Sequence, residues 1–241
     1  ERYADLCVQE FKWLMTKSCD NAVILFARDP VLGQVKTRLS PFLDKKTILE
    51  LYTCFLHDSL DKIRQVENAD LFVGVAPSNQ SGFFSGMPGA DIRLFVQEGK
   101  QLGDKMRRAI QDRFAEGYEK AVIIGSDSPS LPVTYIERAL SSDKDLVLGP
   151  STDGGYYLIG MRGKVVEVFD GVAWGTEKVL RETCAHLARN GAELELLPVW
   201  YDIDSPEDLR FFQTHLQLIE QAGLGKSGET GKLLNKILGD H

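Results

Sequence analysis

The chain has 241 residues, more than the ~100–200 usual for one domain but ordinary for an α/β fold built on a single core. Hydrophobic residues make up 43% and charged residues 26%, which excludes a disordered chain and leaves enough apolar side chains to fill a core. The 28 Lys and Arg against 35 Asp and Glu give a net charge of -7, which excludes nucleic acid as the main partner, although a local group of cations still acts on one phosphate-bearing small molecule.

Residues 1–20 read as a helical appendage, because Ala4, Cys7, Val8, Phe11, Leu14 and Met15 recur at helical spacing. Charges are mixed with apolar residues from Glu1 to Lys17, unlike a signal peptide, and no apolar run approaches the ~18 residues of a membrane span. Cys7, Cys19, Cys54 and Cys184 are scattered, without a C-x-x-C pair, so neither structural zinc nor obligatory disulfides are expected. A cytoplasmic location follows as an expectation.

Ala22–Ala27 is apolar without alternation, as in a strand buried on both faces. The loop after it, from Arg28 through Gly33, Lys36 and Arg38 to Pro41, combines a glycine with three cations. In an open α/β sheet such a loop lies at the strand's carboxyl end, where ligands collect, and Arg28, Gly33, Lys36 and Arg38 become candidate phosphate contacts. A solvated basic loop is the alternative. A helix over Lys45–Val66 follows, then strands at Leu71–Val75 and Ile92–Val96, a helix over Gly103–Glu116 and a strand at Ala121–Ile124.

Directly after that strand comes Gly125-Ser126-Asp127-Ser128-Pro129. A carboxylate beside phosphates needs a divalent cation between them, and Mg²⁺ uses one or two carboxylates plus phosphate oxygens, so Asp127 is a candidate metal ligand; capping the next helix is its other role. Ser126 joins the candidate phosphate contacts.

A helix over Val133–Leu140 and a strand at Leu146–Leu148 come next, then the turn Ser151–Gly155 and a strand at Gly155–Gly160. That short separation predicts an antiparallel strand in an otherwise parallel sheet. Asp153 is a candidate second carboxylate or a turn former, and Gly154 and Gly155 either bring N–H groups to a substrate pocket or serve the turn. Trp174 lines that pocket or packs in the core.

A helix over Thr176–Arg189 and a strand at Leu194–Leu197 lead to Asp202-Ile203-Asp204-Ser205-Pro206-Glu207-Asp208, which opens a further helix; Asp204 is a candidate for both cap and metal ligand. Residues 223–241 read as a glycine-rich flexible linker and a short helix at Lys232–Leu238. Alternating strands and helices predict a single three-layer α/β/α domain with a mixed, mainly parallel sheet. Neither a P-loop at Gly231-Lys232 nor a Ser-His-Asp assembly is formed.

Taken together, Phe26–Pro30 with Val35–Leu39, Ile124–Pro132, Gly149–Gly160 and Asp202–Leu209 resemble the glycosyltransferase-A-like family of radical-SAM/selenodomain-associated transferases, also described as nucleotide-diphospho-sugar transferases. The resemblance covers about Asn21 to Leu216, within a domain of residues 21–222. Val35–Pro41 is also similar to the guanylyltransferase that activates 2-phospholactate, and the Asp204–Leu209 ending to sugar-acid cytidylyltransferases. These likenesses imply a nucleotide-binding fold, Asp127 and Asp204 as ligands of Mg²⁺ or Mn²⁺, and Lys36 and Arg38 as phosphate contacts.

The expected activity is glycosyl transfer from a nucleotide-sugar to a small-molecule acceptor, with Asp153 as candidate base. Nucleotidyl transfer to a phosphorylated or acidic metabolite is the first alternative, and an inactive nucleotide-binding module the second. Exposed loop cations contribute little to stability, so Lys36→Ala and Arg38→Ala are expected to weaken ligand binding with little effect on folding.

Overall fold

The run Ala22–Ala27 is buried throughout, a burial that a strand reaches only between two layers. The computed structural model describes residues 17–86, 91–226 and 228–239; the expected N-terminal helix lies outside them. The elements in chain order are β1 (Asn21–Arg28), α1 (Lys45–Ile63), β2 (Ala69–Ala76), β3 (Ile92–Val96), α2 (Leu102–Ala115), β4 (Lys120–Gly125), α3 (Val133–Ser141), β5 (Leu146–Pro150), β6 (Tyr156–Arg162), α4 (Val179–Asn190), β7 (Leu194–Leu196), α5 (Pro206–Gln221) and α6 (Gly228–Leu238).

Among the described residues seven strands form one sheet in the order β3-β2-β1-β4-β6-β5-β7. Only β6 runs against its neighbours: it pairs antiparallel with β4 and β5, while the remaining pairs are parallel. Successive residues of β1 point to opposite faces. Val23, Leu25 and Ala27 join a cluster with α1, α3, α5 and α6, whereas Ala22, Ile24 and Phe26 join one with α2 and α4. This is the expected three-layer α/β/α arrangement.

The parallel strands end on one rim. In register, Phe26 of β1 stands opposite Gly125 of β4, and Arg28 opposite Ala76 of β2. The loops carrying Lys36 and Asp127 therefore leave the sheet side by side.

Residues 197–204 extend the line of β7 along that rim, with Trp200 N bonded to Pro150 O, Thr152 N to Trp200 O, and Ile203 N to Asp127 O. Ser205 then caps α5 in a capping box with Asp208, and Pro206 occupies the first turn. The cap is thus Ser205 rather than Asp204. Nor does Asp127 cap α3, whose N-cap is Pro132.

The glycines after Ala222 do not make the long linker that their composition suggests. Helix α6 already starts at Gly228, because the Asp58 carboxylate on α1 accepts from Glu229 N at 2.8 Å and Thr230 N at 3.0 Å. Its Leu233 and Leu234 are buried in the α1 side of the core. Among the described residues no helix is long and apolar enough to cross a membrane.

Leu234, with no exposed surface, anchors α6: Leu234→Ala is expected to cost about 2–5 kcal/mol in denaturant unfolding. Asp58→Ala, which removes a cap, is expected to cost about 1 kcal/mol. Equal stability of both variants and the parent chain would mean that α6 contributes nothing to the core.

Candidate active site

The loop after β1 places Lys36 in the left-handed region, at φ 44° and ψ 42°, a conformation uncommon for a residue with a side chain. From there the side chain turns inward and is only 5% exposed. Its Nζ donates to Asp127 Oδ1 at 2.7 Å, Asp204 Oδ1 at 2.8 Å and the carbonyl of Ile203 at 2.7 Å. All three ammonium donors are therefore engaged.

Burial alone would lower the Lys36 pKa, but Asp127 and Asp204 outweigh it and the net shift is upward. Burial would raise Asp204, yet Lys36, then Arg38 and Arg28, hold its carboxyl below the usual range. The structure brings Asp127 and Asp204 together on one cation. It also moves Lys36 out of the set of free phosphate contacts: a buried ammonium with three acceptors has no donor left.

Exposed cations remain beside this cluster. Arg38 makes one contact of 3.3 Å to Asp204 Oδ2 and is otherwise open to solvent. Arg28 is exposed. Gly33 has φ 76°, which a side chain rarely adopts, and the side chain of Lys45 lies alongside it. Lys45 stands in a helical pattern and gives no sequence signal of this position.

Ser126 is buried, and its hydroxyl lies 3.1 Å from the Tyr52 hydroxyl, which also accepts from Arg28 N at 2.9 Å. Its hydroxyl therefore ties the Asp127 loop to α1 instead of facing a phosphate. Burial, with Asp127 adding to it, pushes Tyr52 up to about 12, so it stays a neutral hydroxyl.

On the opposite side of the rim, Asp153 is exposed and its Oδ1 accepts from Gly155 N at 2.9 Å, an Asp-led turn. Gly154, at φ 89°, lies against the backbone of Glu177, and its carbonyl accepts from Leu180 N at 2.8 Å. The glycine serves this close approach of two chain segments, not an open pocket. Trp174 packs over Gly103 and against Phe169 and Tyr156, partly buried.

Asp202 links both sides. One of its oxygens accepts from Ser128 Oγ and the other from Ser151 Oγ at 3.0 Å. Burial, reinforced by Asp127 and Asp153, pushes it up to about 6 against the bond from Ser128. The D-x-D spacing with Asp204 is the only sequence signal of Asp202; its serine partners come from distant loops.

Among the described residues no group of three or more His, Cys, Asp or Glu converges to cage a metal. Two carboxylates beside exposed cations do match the donor set of a Mg²⁺ shared with phosphates. Lys36 uses Oδ1 of each carboxylate, and Asp127 Oδ2 has no protein partner among the described residues.

Residues 59–176 match the family described as "Uncharacterized protein conserved in bacteria (DUF2064)". A structure from Desulfovibrio desulfuricans G20, described as a candidate nucleotide-diphospho-sugar transferase, is 31% identical, covers 90% of this chain and 95% of its own, and superimposes with a TM-score of 0.82. The 4-diphosphocytidyl-2C-methyl-D-erythritol synthase of Anaerococcus prevotii DSM 20548 shares the fold at 10% identity and a TM-score of 0.53, over 82% of this chain and 97% of its own. CMP:2-keto-3-deoxy-manno-octonic acid synthetase, in complex with CTP, shares it at 11% identity and a TM-score of 0.50, over 84% and 99%. No curated protein matches the chain. The neighbour at 31% identity is described as a transferase, and this chain is a transferase too.

Because Lys36 ties three groups, Lys36→Ala is expected to lower stability by about 1.5–3 kcal/mol, the range for hydrogen bonds to a charged group; Arg38→Ala, at an exposed pair, is expected to cost under about 1 kcal/mol. The pH dependence has a definite sign. Depressed Asp204 contributes stability above the unfolded carboxylate pKa that is lost as pH falls through its folded value. Raised Lys36 contributes fully below the unfolded lysine pKa and loses this as pH rises through its folded value. The deficit of Lys36→Ala in urea unfolding should therefore be widest across the neutral range and narrow in acid.

Proposed function

We propose that this chain, which belongs to the same family as the Desulfovibrio desulfuricans G20 protein and carries the DUF2064 segment, is a divalent-metal-dependent transferase that moves a glycosyl group from a nucleotide-diphospho-sugar to a small-molecule acceptor. The observation that carries the reading is the pair Asp127 and Asp204, held on the ammonium of Lys36 and flanked by exposed Arg28 and Arg38 at the carboxyl rim of the sheet.

Asp127 and Asp204 would hold Mg²⁺ or Mn²⁺, which when bound supplies positive charge to the departing diphosphate. Arg28 and Arg38 bind diphosphate oxygens through charge-assisted hydrogen bonds. Lys36 holds the two carboxylates at a fixed separation whether or not ligand is bound. The bond from the anomeric carbon to the diphosphate oxygen breaks, the bond to the acceptor oxygen forms, and the nucleoside diphosphate leaves. Where configuration inverts, Asp153 takes the acceptor's proton; its Oδ1 is oriented by Gly155 N.

One observation favours a second reading, nucleotidyl transfer. Lys45 beside Gly33 adds a third exposed cation to Arg28 and Arg38, enough to meet a triphosphate. A substrate phosphate or carboxylate oxygen would then attack the α-phosphorus, with pyrophosphate leaving.

Asp127→Asn separates chemistry from architecture. Its amide oxygen still accepts from Lys36, so the melting temperature should stay near that of the parent chain. Turnover should fall by about 100-fold or more, as for loss of a charge-stabilising group, and Mn²⁺-dependent thermal stabilisation by nucleotide should be lost. Products of the parent protein decide the reaction: free nucleoside diphosphate for glycosyl transfer, pyrophosphate for nucleotidyl transfer. Nucleotide binding without either product would leave a binding module, and a fully active Asp127→Asn enzyme would remove Asp127 from the site.

A further inference from the structure

Asp202 is used by neither reaction, yet it touches more of the rim than any exposed group there. It lies on residues 197–204, which cross from the loop after β5 to the loop after β4 through the Trp200 bonds to Pro150 and Thr152 and the Ile203 bond to Asp127. One carboxylate oxygen accepts from Ser128, the residue next to Asp127. The other accepts from Ser151, in the turn that presents Asp153. Both serines are buried, with 4% and 5% of their surface exposed.

We infer that Asp202 is a positioning residue: acting through Ser128 and Ser151, it fixes the separation between the diphosphate side of the site at Asp127 and the acceptor side at Asp153. The inference rests on the functional reading above for the roles of those two sides. What sets Asp202 apart is what it holds: each of its oxygens accepts from a buried hydroxyl on a different loop of the rim. Ser128 also reaches the carbonyl of Tyr201 at 3.0 Å, whereas Ser151 has Asp202 as its acceptor and would be left unpaired without it, at a cost in desolvation energy.

The test compares Asp202→Asn, Asp202→Ala and the double variant Ser128→Ala/Ser151→Ala. An Asn keeps the shape, accepts from one serine with its oxygen and donates to the other with its NH₂, since a hydroxyl works both ways. Mn²⁺ alone is titrated into each protein by the electron paramagnetic resonance signal of the free ion. Amide hydrogen exchange is followed in residues 126–131 and 151–155. Asp202→Ala and the double variant are expected to bind Mn²⁺ about 10–100-fold more weakly, the usual effect of losing a group that orients a ligand. Their two loops should exchange faster together, while Asp202→Asn stays near the parent chain in both measurements. Leu234→Ala, destabilised far from the rim, should leave Mn²⁺ affinity unchanged, which separates positioning from general loss of stability.

Asp202→Asn as weak as Asp202→Ala would overturn the inference, since charge and not shape would then matter. So would Asp202→Ala loops that exchange as slowly as in the parent chain. If the parent chain itself binds no Mn²⁺, the metal reading falls, and hydrogen exchange alone decides: joint loosening of the two loops supports positioning, and its absence overturns it.

Discussion

Two carboxylates on neighbouring loops of a net-acidic chain repel each other, and a cation between them decides whether the loops can meet. Here the cation is built in. An ammonium that is only 5% exposed costs several kcal/mol to desolvate, and the cost is offset only because Lys36 finds two carboxylates and a carbonyl within 2.8 Å. Its left-handed backbone adds a cost of about 1–2 kcal/mol. Both are borne by a loop that would otherwise have no reason to fold inward. The loop after β1 closes onto the strand ends through this residue, and Arg28 and Arg38 are thereby left facing the opening.

The fold was legible because its core strands are unambiguous. A run such as Ala22–Ala27, apolar on both faces, has one stable place in an α/β protein, and the short turn between β5 and β6 leaves no room for a parallel crossover. Side-chain direction in the loops was not legible. Sequence treats a lysine in a polar loop as solvated, and only the register of β1 against β4 reveals that Lys36 reaches Asp127. Ser126 and Asp127 are adjacent, yet one faces α1 and the other the crevice. Nothing in their order says which. The early start of helix α6 at Gly228 was hidden for a related reason, since its cap, Asp58, sits on α1 on the far side of the sequence.

A net charge of -7 and the proposed phosphate site are compatible because the two act over different ranges. Beyond about 8 Å salt screens the distant acids, so an incoming ligand senses the rim and little else. On the rim itself, Lys36 offsets one of the two carboxylates, which leaves the cluster with a residual negative charge next to exposed Arg28 and Arg38. On the proposed reading a diphosphate would meet attraction from the arginines and repulsion from the carboxylates. A divalent ion between them would resolve that conflict. On the proposed reading such a rim would hold a metal more tightly with a diphosphate present than without one, because phosphate oxygens would complete a ligand set that two carboxylates only begin.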